Sequence, residues 1–289
     1  MARIVGTNST DRLIGTDSSD VVDGRGGADW LFGRGKEDFL IGGQGDAVDV
    51  IFGGSGDDYA AGIAGADRIY GGNGRDALNG GRGDDTIYGG SGSDSGAAFR
   101  IRVAGVEAAP GLFGLGGDDF LHGGNGRDSL LGGVGDDTIY GGGASDSGVA
   151  SGELLYGKPG LFGGEGDDFL DGGRGTDFLE GGLGTDRLRG GADNDVFKFN
   201  DNHSGKGKLR DVILDFRKGD VIDVHAIDAI LGGSDDPFKF IGNEGFHGTA
   251  GELRFAGGKL AGDLDGDGAA DIEIRLIDVA KLEEADLLL

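Results

Sequence analysis

No cysteine occurs in the 289-residue chain, which excludes disulfide staples, thiol nucleophiles and thiolate metal sites. Proline occurs only three times beside 68 glycines, so a collagen-like helix, with its proline-rich three-residue period, is excluded as well. Basic residues are scarce: 26 Lys and Arg stand against 52 Asp and Glu, a net charge of −26. Such a chain does not seek nucleic-acid phosphate or an anionic membrane surface, and cations are its natural partners. No apolar run reaches transmembrane length, and the start, MARIVGTNST, lacks the hydrophobic region of a signal peptide. High glycine with high net charge would by composition alone suggest disorder. A regular period argues against it.

Taking glycine as position one, eighteen units run from Gly6 to Lys198. Fifteen have nine residues, one (42–52) has eleven, and two (89–113 and 141–162) carry long insertions. Every unit keeps an aspartate at its sixth position, allowing for the two extra residues, and an apolar residue at nearly every eighth, as in Leu31, Ile69, Leu78 and Leu121. Gly-Gly-x-Gly is a backbone that must turn tightly. The following D-x-L-x reads as a very short strand whose aspartate and aliphatic residue share the inner face. The pattern predicts an all-β chain wound as a flattened right-handed parallel β-roll, two units per revolution, with insertions at about 95–111 and 147–160.

Stacked coils bring each aspartate within roughly 4.8 Å of the one two units along. A column of like charges at that spacing splits the fold apart unless a cation lies between the turns. Calcium accepts six to eight oxygens, carboxylates and backbone carbonyls among them, whereas magnesium demands tighter octahedral geometry. One buried aliphatic side chain per nine ordered residues is a thin core. The pattern therefore predicts a chain largely unfolded without calcium. About a dozen such ions would offset nearly all of the −26 charge.

The nonapeptide G-G-x-G-x-D-x-L-x resembles the RTX (hemolysin-type) calcium-binding repeat, over about two thirds of the chain. The resemblance implies calcium held between turns n and n+2 by the aspartates and the carbonyls of the first four turn residues. Carried onto this sequence, the ligands are Asp29, Asp49, Asp58, Asp67, Asp76, Asp85, Asp94, Asp119, Asp128, Asp137, Asp146, Asp168, Asp177, Asp186 and Asp195. The turn glycines that offer carbonyls include Gly72, Gly74, Gly81, Gly83, Gly124, Gly126, Gly133, Gly135, Gly164, Gly166, Gly173 and Gly175. The fourth-position glycine is replaced by Ser9, Ser18, Lys36, Ala144 and Asp193. Sites at the N-terminal units are accordingly expected to be weakest or empty, with Asp11, Asp20 and Asp38 outside the ligand set.

Both insertions follow a GGSGSDSG- or GGGASDSG-type stretch and return through PGLF, at 110–113 and 159–162. They interrupt units ten and fourteen and so are expected to leave the same edge. AFRIRV, residues 98–103, reads as a strand or hairpin arm, and the second insertion offers GELLY, residues 152–156. Phe99, Arg100, Arg102 and Tyr156 could form a composite binding surface, or the two loops could simply cover each other.

After GGADNDVFKFND the composition shifts, and short alternating stretches suggest a small antiparallel β capping domain over 199–289. This segment is similar to the C-terminal domain following RTX repeats in serralysin-type metalloproteases, with versions in mannuronan epimerases and lipases. The matching features are GGADNDVFKF, DVILDFRKGDVID, GELRF and the ending ADLLL. That likeness implies an uncleaved type I secretion signal at Asp286 to Leu289, where an ordinary terminal strand or helix end is the other reading. Residues 263–271, DLDGDGAAD, resemble the first nine positions of an EF-hand-like loop, with Asp263, Asp265, Asp267 and Asp271 as oxygen donors and Gly268 at the turn. The twelfth position is Ile274 rather than glutamate, so a plain acidic hairpin turn competes.

Catalytic motifs are missing. H-E-x-x-H and G-x-S-x-G do not occur, and His122, His203, His225 and His247 are isolated. The expectation is a secreted, noncatalytic calcium-binding protein serving surface, matrix or host interaction and exported by type I machinery. The alternative is a polysaccharide-binding accessory module of an enzyme such as a mannuronan epimerase, or the C-terminal part of a serralysin-like protease. Repeats beginning at residue 6 with no segment to cap them hint that something precedes them or that this end associates.

Overall fold

The computed structural model describes residues 1–92, 94, 99–101, 106–108, 111–116, 119–125, 129–134, 138–142, 160–200, 211–230 and 236–289. The repeat alternates strands between two sheets, which among the described residues have twelve and fourteen strands, C-terminal ones included. Consecutive units therefore lie in opposite sheets, and each strand pairs in parallel with that of the unit two along. This is the β-roll. Each strand runs further than the D-x-L-x element. Arg68–Asn73 and Thr86–Ser91, for example, begin just after the aspartate and continue through the next glycine pair. The second glycine bends the backbone yet stays in register, as in the row Gly54, Gly72, Gly90.

Position eight supplies the core. Ile51, Ile69, Ile87, Leu121, Ile139, Leu170 and Leu188 stand in one unbroken register row of the fourteen-strand sheet. Leu40, Ala60, Leu78, Leu112, Leu130, Leu161 and Leu179 form the corresponding row of the other sheet. All of them are fully buried in one hydrophobic cluster. Because position eight points in, positions seven and nine point out. On the fourteen-strand sheet the latter form a ladder of stacked rings, Phe32, Phe52, Tyr70 and Tyr88, with centroids 5.1, 4.8 and 5.2 Å apart.

Both insertions connect the fourteen-strand sheet to the twelve-strand sheet, from Thr86–Ser91 to Gly111–Gly116 and from Thr138–Gly142 to Gly160–Glu165. One strand separates their points of departure, so they leave the same edge. Phe99–Ile101 and Val106–Ala108 pair antiparallel as a hairpin in the first insertion. GELLY, Arg102 and Tyr156 lie outside the described residues.

Among the described residues of the C-terminal region, the antiparallel pairing lies at its far end, where Glu252–Ala256, Lys259–Asp263 and Ile272–Leu276 form a three-strand unit. Before that the roll continues in parallel: Val212–Ile213 extends the fourteen-strand sheet beyond Arg187–Ala192, and Val221–Ala226 extends the other beyond Val196–Asn200. Asp211-Val-Ile and Asp220-Val-Ile repeat the aspartate–x–aliphatic element at the same nine-residue spacing without the glycine pair. The ladder needs that element more than it needs the glycines. At the end of the sequence, a 3-10 turn at Glu284–Asp286 leads into Leu287–Leu288, which pairs with Val221–Ala226 and buries Leu287.

Candidate metal centre

Among the described residues, all the position-six aspartates but Asp11 are buried. Asp29, Asp38, Asp58, Asp67, Asp76, Asp177 and Asp186 have no exposed surface, and Asp49, Asp85, Asp94, Asp119, Asp168 and Asp195 have at most 2%. Two backbone hydrogen bonds recur along the row. The aspartate Oδ1 accepts the amide of the aspartate two units earlier: Asp38 donates to Asp58 at 2.8 Å, Asp58 to Asp76 at 2.9 Å, and Asp67 to Asp85 at 2.7 Å. Its own carbonyl accepts the amide that follows the aspartate two units later, as in Ala77 to Asp58. Repulsion between stacked carboxylates is thus partly relieved by interleaved amides, a feature that spacing alone does not reveal.

The second carboxylate oxygen is different. In Asp29, Asp38, Asp58, Asp67, Asp76, Asp85, Asp186 and Asp195, Oδ2 is buried without a hydrogen-bond donor from the protein. It points back at the first glycine of its own unit. A Cβ at Gly53 would lie 2.5 Å from Asp58 Oδ2 and 2.6 Å from the carbonyl oxygen of Gly71, the first glycine two units on. The space in front of Gly24, Gly33, Gly53, Gly62 and Gly71 is in this way lined by a carboxylate oxygen and a carbonyl oxygen. Positions two and four complete the turn in the left-handed region: Gly72 and Gly74 have φ of 117° and 136°, Gly81 and Gly83 of 115° and 110°, Gly164 and Gly166 of 125° and 139°, and Gly173 and Gly175 of 95° and 113°. Arg34, Lys36, Ile63 and Asp193 adopt it too, with φ between 71° and 91°. Lys36 thus leaves its turn intact, and Asp38, expected to stand outside the set, sits in the ladder like its neighbours.

Burial raises these carboxyl groups far above the ordinary aspartate range. Asp58 reaches about 8, Asp38, Asp67 and Asp76 about 7, and Asp49, Asp85, Asp186 and Asp195 about 6. Desolvation is the largest cause, the amide bond to Oδ1 opposes it, and neighbouring carboxylates add to it. A buried carboxylate in this condition either holds a proton or faces a cation. Hard oxygen donors alone, with no nitrogen or sulfur, suit calcium. Bound there, calcium supplies the positive charge and the oxygen-seeking coordination that the protein's own donors leave unmet.

Asp11 and Asp20 part from the rest: Thr7 and Thr16 donate to their Oδ2 atoms. Asp128, Asp137, Asp146, Gly126 and Gly135 lie outside the described residues. Gly124 and Gly133 fall in register with Gly90 and Gly164 of neighbouring strands. Two ladder members escaped the sequence reading, Asp211 and Asp220, which accept the amides of Asp186 and Asp195 at 3.0 and 3.1 Å. The aspartate–x–aliphatic element nine residues apart was the signal for them.

Asp263, Asp265 and Asp267 come together at the turn between Lys259–Asp263 and Ile272–Leu276, with one oxygen of each within 4.8 Å of the others. Asp263 is committed to the turn itself, accepting the amides of Gly266 and Gly268, while Asp271 accepts that of Leu264. This is also the hydrogen bonding of a plain acidic hairpin turn. The described histidines do not converge. His122 stands between Tyr88 and Tyr140, His225 bonds Asp223, and His247 bonds Glu252. No helix among the described residues is long and apolar enough to cross a membrane.

Among curated proteins, none matches the chain. The sequence profile of the RTX calcium-binding nonapeptide repeat (4 copies) matches residues 5–40, 32–62, 61–95, 113–147 and 162–197, more than half of the chain. With these matches falling on the strands and turns that carry the buried aspartates, the chain belongs to the RTX calcium-binding repeat family.

Proposed function

We propose that this is a secreted, noncatalytic protein whose roll orders on binding calcium outside the cell and then serves surface, matrix or host interaction. The observation that carries the reading is the row of buried Oδ2 atoms, which at Asp29, Asp38, Asp58, Asp67 and Asp76 share the space before the first glycine with a carbonyl oxygen. Where calcium is scarce, the buried charges oppose folding and keep the chain open for export. Where it is abundant, the same charges become ligands, with the position-six aspartates binding through Oδ2 and the turn carbonyls completing the shell. The tail from Asp286 to Leu289 is assigned to type I export, and the Asp263–Asp265–Asp267 turn to a separate calcium ion. Equilibrium dialysis tests the binding: several calcium ions per chain are expected, with magnesium failing to compete at equal concentration. One ion or none would contradict it.

A second reading, binding of an acidic polysaccharide, rests on the outer face of the fourteen-strand sheet. Trp30, 48% exposed, begins an aromatic stripe through Phe52, Tyr70 and Tyr88. Arg12 lies over Phe32 at 5.1 Å and Arg187 over Phe169 at 5.9 Å. Rings beside guanidinium groups suit the apolar faces and carboxylates of uronate sugars. Retardation in a polyuronate gel containing calcium is expected, weakened by Trp30→Ser with Arg12→Ser, whose residues are register partners; unaltered mobility of the wild type in that gel would remove this reading.

A further inference from the structure

The two ends of the aspartate ladder differ from its middle in a common way. In units 6–14 and 15–23 the second glycine is replaced by threonine and the fourth by serine. None of Thr7, Ser9, Thr16 and Ser18 adopts the positive φ that even Arg25, Arg34, Lys36 and Ile63 take at the same positions. Instead the Thr16 amide and hydroxyl donate to Asp20 Oδ2 at 2.6 and 2.7 Å. The Thr7 amide and hydroxyl donate to Asp11 Oδ2 at 2.6 and 2.8 Å. The Ser9 and Ser18 amides bond back to the threonine oxygens at 3.2 Å. Oδ2 is drawn away from the first glycine: a Cβ would stand 2.9 Å from it at Gly6 and 3.1 Å at Gly15, against 2.5 Å at Gly33 and Gly53.

At the other end an arginine reaches the turn and the carboxylate of the last repeat. The Arg217 guanidinium donates to the carbonyl of Asp193, position four of the last repeat, at 2.6 Å from Nη2 and 3.2 Å from Nε. The same Nη2 lies 3.7 Å from Asp195 Oδ2, and Nε lies 3.9 Å from Asp220 Oδ1. In the interior the position-six carboxylate faces the carbonyl of a first glycine, as at Gly53 and Gly71; at this end the oxygens are a position-six carboxylate and a position-four carbonyl. Here a fixed organic cation, permanently charged and shaped to fork between oxygens, meets both.

We infer that the protein's own side chains close the calcium array at both ends, Thr7 and Thr16 by hydrogen-bonding the terminal carboxylates and Arg217 by standing where the last calcium ion would otherwise bind. The inference rests on the calcium-binding reading. Ions then fill the interior turns, and the positions held by Thr7, Thr16 and Arg217 need none. Each closure is replaceable. Thr16→Gly with Ser18→Gly recreates the interior turn sequence in unit 15–23, and Arg217→Gln removes the built-in cation while keeping a donor.

Native mass spectrometry at saturating calcium counts the ions. The glycine pair and Arg217→Gln are each expected to carry one ion more than the wild type. Thr16→Ser, which keeps the hydroxyl, and Arg217→Lys, which keeps the charge, are expected to carry the wild-type number. The melting temperature of the two ion-gaining variants should also rise more steeply with calcium concentration, by the linkage expected for an added site. A wild-type chain that binds calcium while both variants fold with an unchanged count overturns this inference alone. A wild-type chain that binds none overturns the proposed function together with it.

Discussion

Stripped of calcium, the protein is expected to hold β structure near pH 5 and to lose it as the pH rises through about 6 to 8. Asp38, Asp58, Asp67 and Asp76, with folded-state values of about 7, 8, 7 and 7, bind a proton far more tightly folded than unfolded. Asp49, Asp85, Asp186 and Asp195, at about 6, act in the same direction. Folding therefore takes up protons between the unfolded value of 3.8 and the folded values. Stability is fully present below the first and falls as pH rises through the second. Each tenfold change in proton affinity corresponds to about 1.4 kcal/mol, and these groups act together, so the loss should be a steep, cooperative transition. Asp11 and Asp20 oppose the trend only at low pH. The Thr7 amide and hydroxyl lower Asp11, while at Asp20 burial is outweighed by the Ala2 and Thr16 amides and the Thr16 hydroxyl. Calcium reverses the dependence at the interior sites, because the ion must displace the protons there: affinity should grow from pH 5 to pH 8, with protons released on binding. Far-ultraviolet circular dichroism in chelator across this range checks the first effect. An order that increases with pH would contradict it.

Asp76→Asn is expected to act in opposite directions with and without calcium. Asp76 Oδ1 accepts the Asp58 amide at 2.9 Å, a bond that an asparagine oxygen can keep. Its Oδ2 lies beside the first glycine of the unit, facing the Gly89 carbonyl. An amide nitrogen there gives that carbonyl a donor and removes a buried charge. The metal-free form should gain about 1–3 kcal/mol, the penalty of one unsatisfied buried polar group, and its pH midpoint should move upward. With calcium, the same change deletes a charged ligand and should weaken the adjoining sites by roughly 10- to 100-fold, the range seen even for loss of an outer partner. Calcium titration and chelator-state unfolding of one variant read the two signs. A loss of stability in both states would mean that Asp76 is a structural hydrogen-bonding residue and nothing more.

Periodicity carried the roll itself: an aspartate and an aliphatic residue two apart, every nine residues, placed Leu78 and Asp76 on one face and alternate units in one sheet. It could not carry the amide of Asp58 bonding Asp76, because that depends on stacking geometry rather than composition. Counting glycines does not separate Lys36, which takes the left-handed turn, from Ser9 and Ser18, whose turns do not and whose neighbouring threonines bond the aspartate instead. Asp211 and Asp220 stayed hidden because the glycine pair, the more visible half of the motif, was absent while the structural half remained. The antiparallel cap expected over 199–289 is present at Glu252–Ala256, Lys259–Asp263 and Ile272–Leu276, while Val212–Ile213 and Val221–Ala226 ahead of it extend the roll's own sheets.

The central claim is that buried carboxylates make folding wait for calcium. Circular dichroism at pH 8, followed from excess chelator to millimolar calcium, tests it most directly. The account predicts a largely disordered spectrum in chelator and a cooperative rise to a β spectrum on adding calcium, with no such rise on adding magnesium. A fully ordered β spectrum in excess chelator at that pH would contradict it.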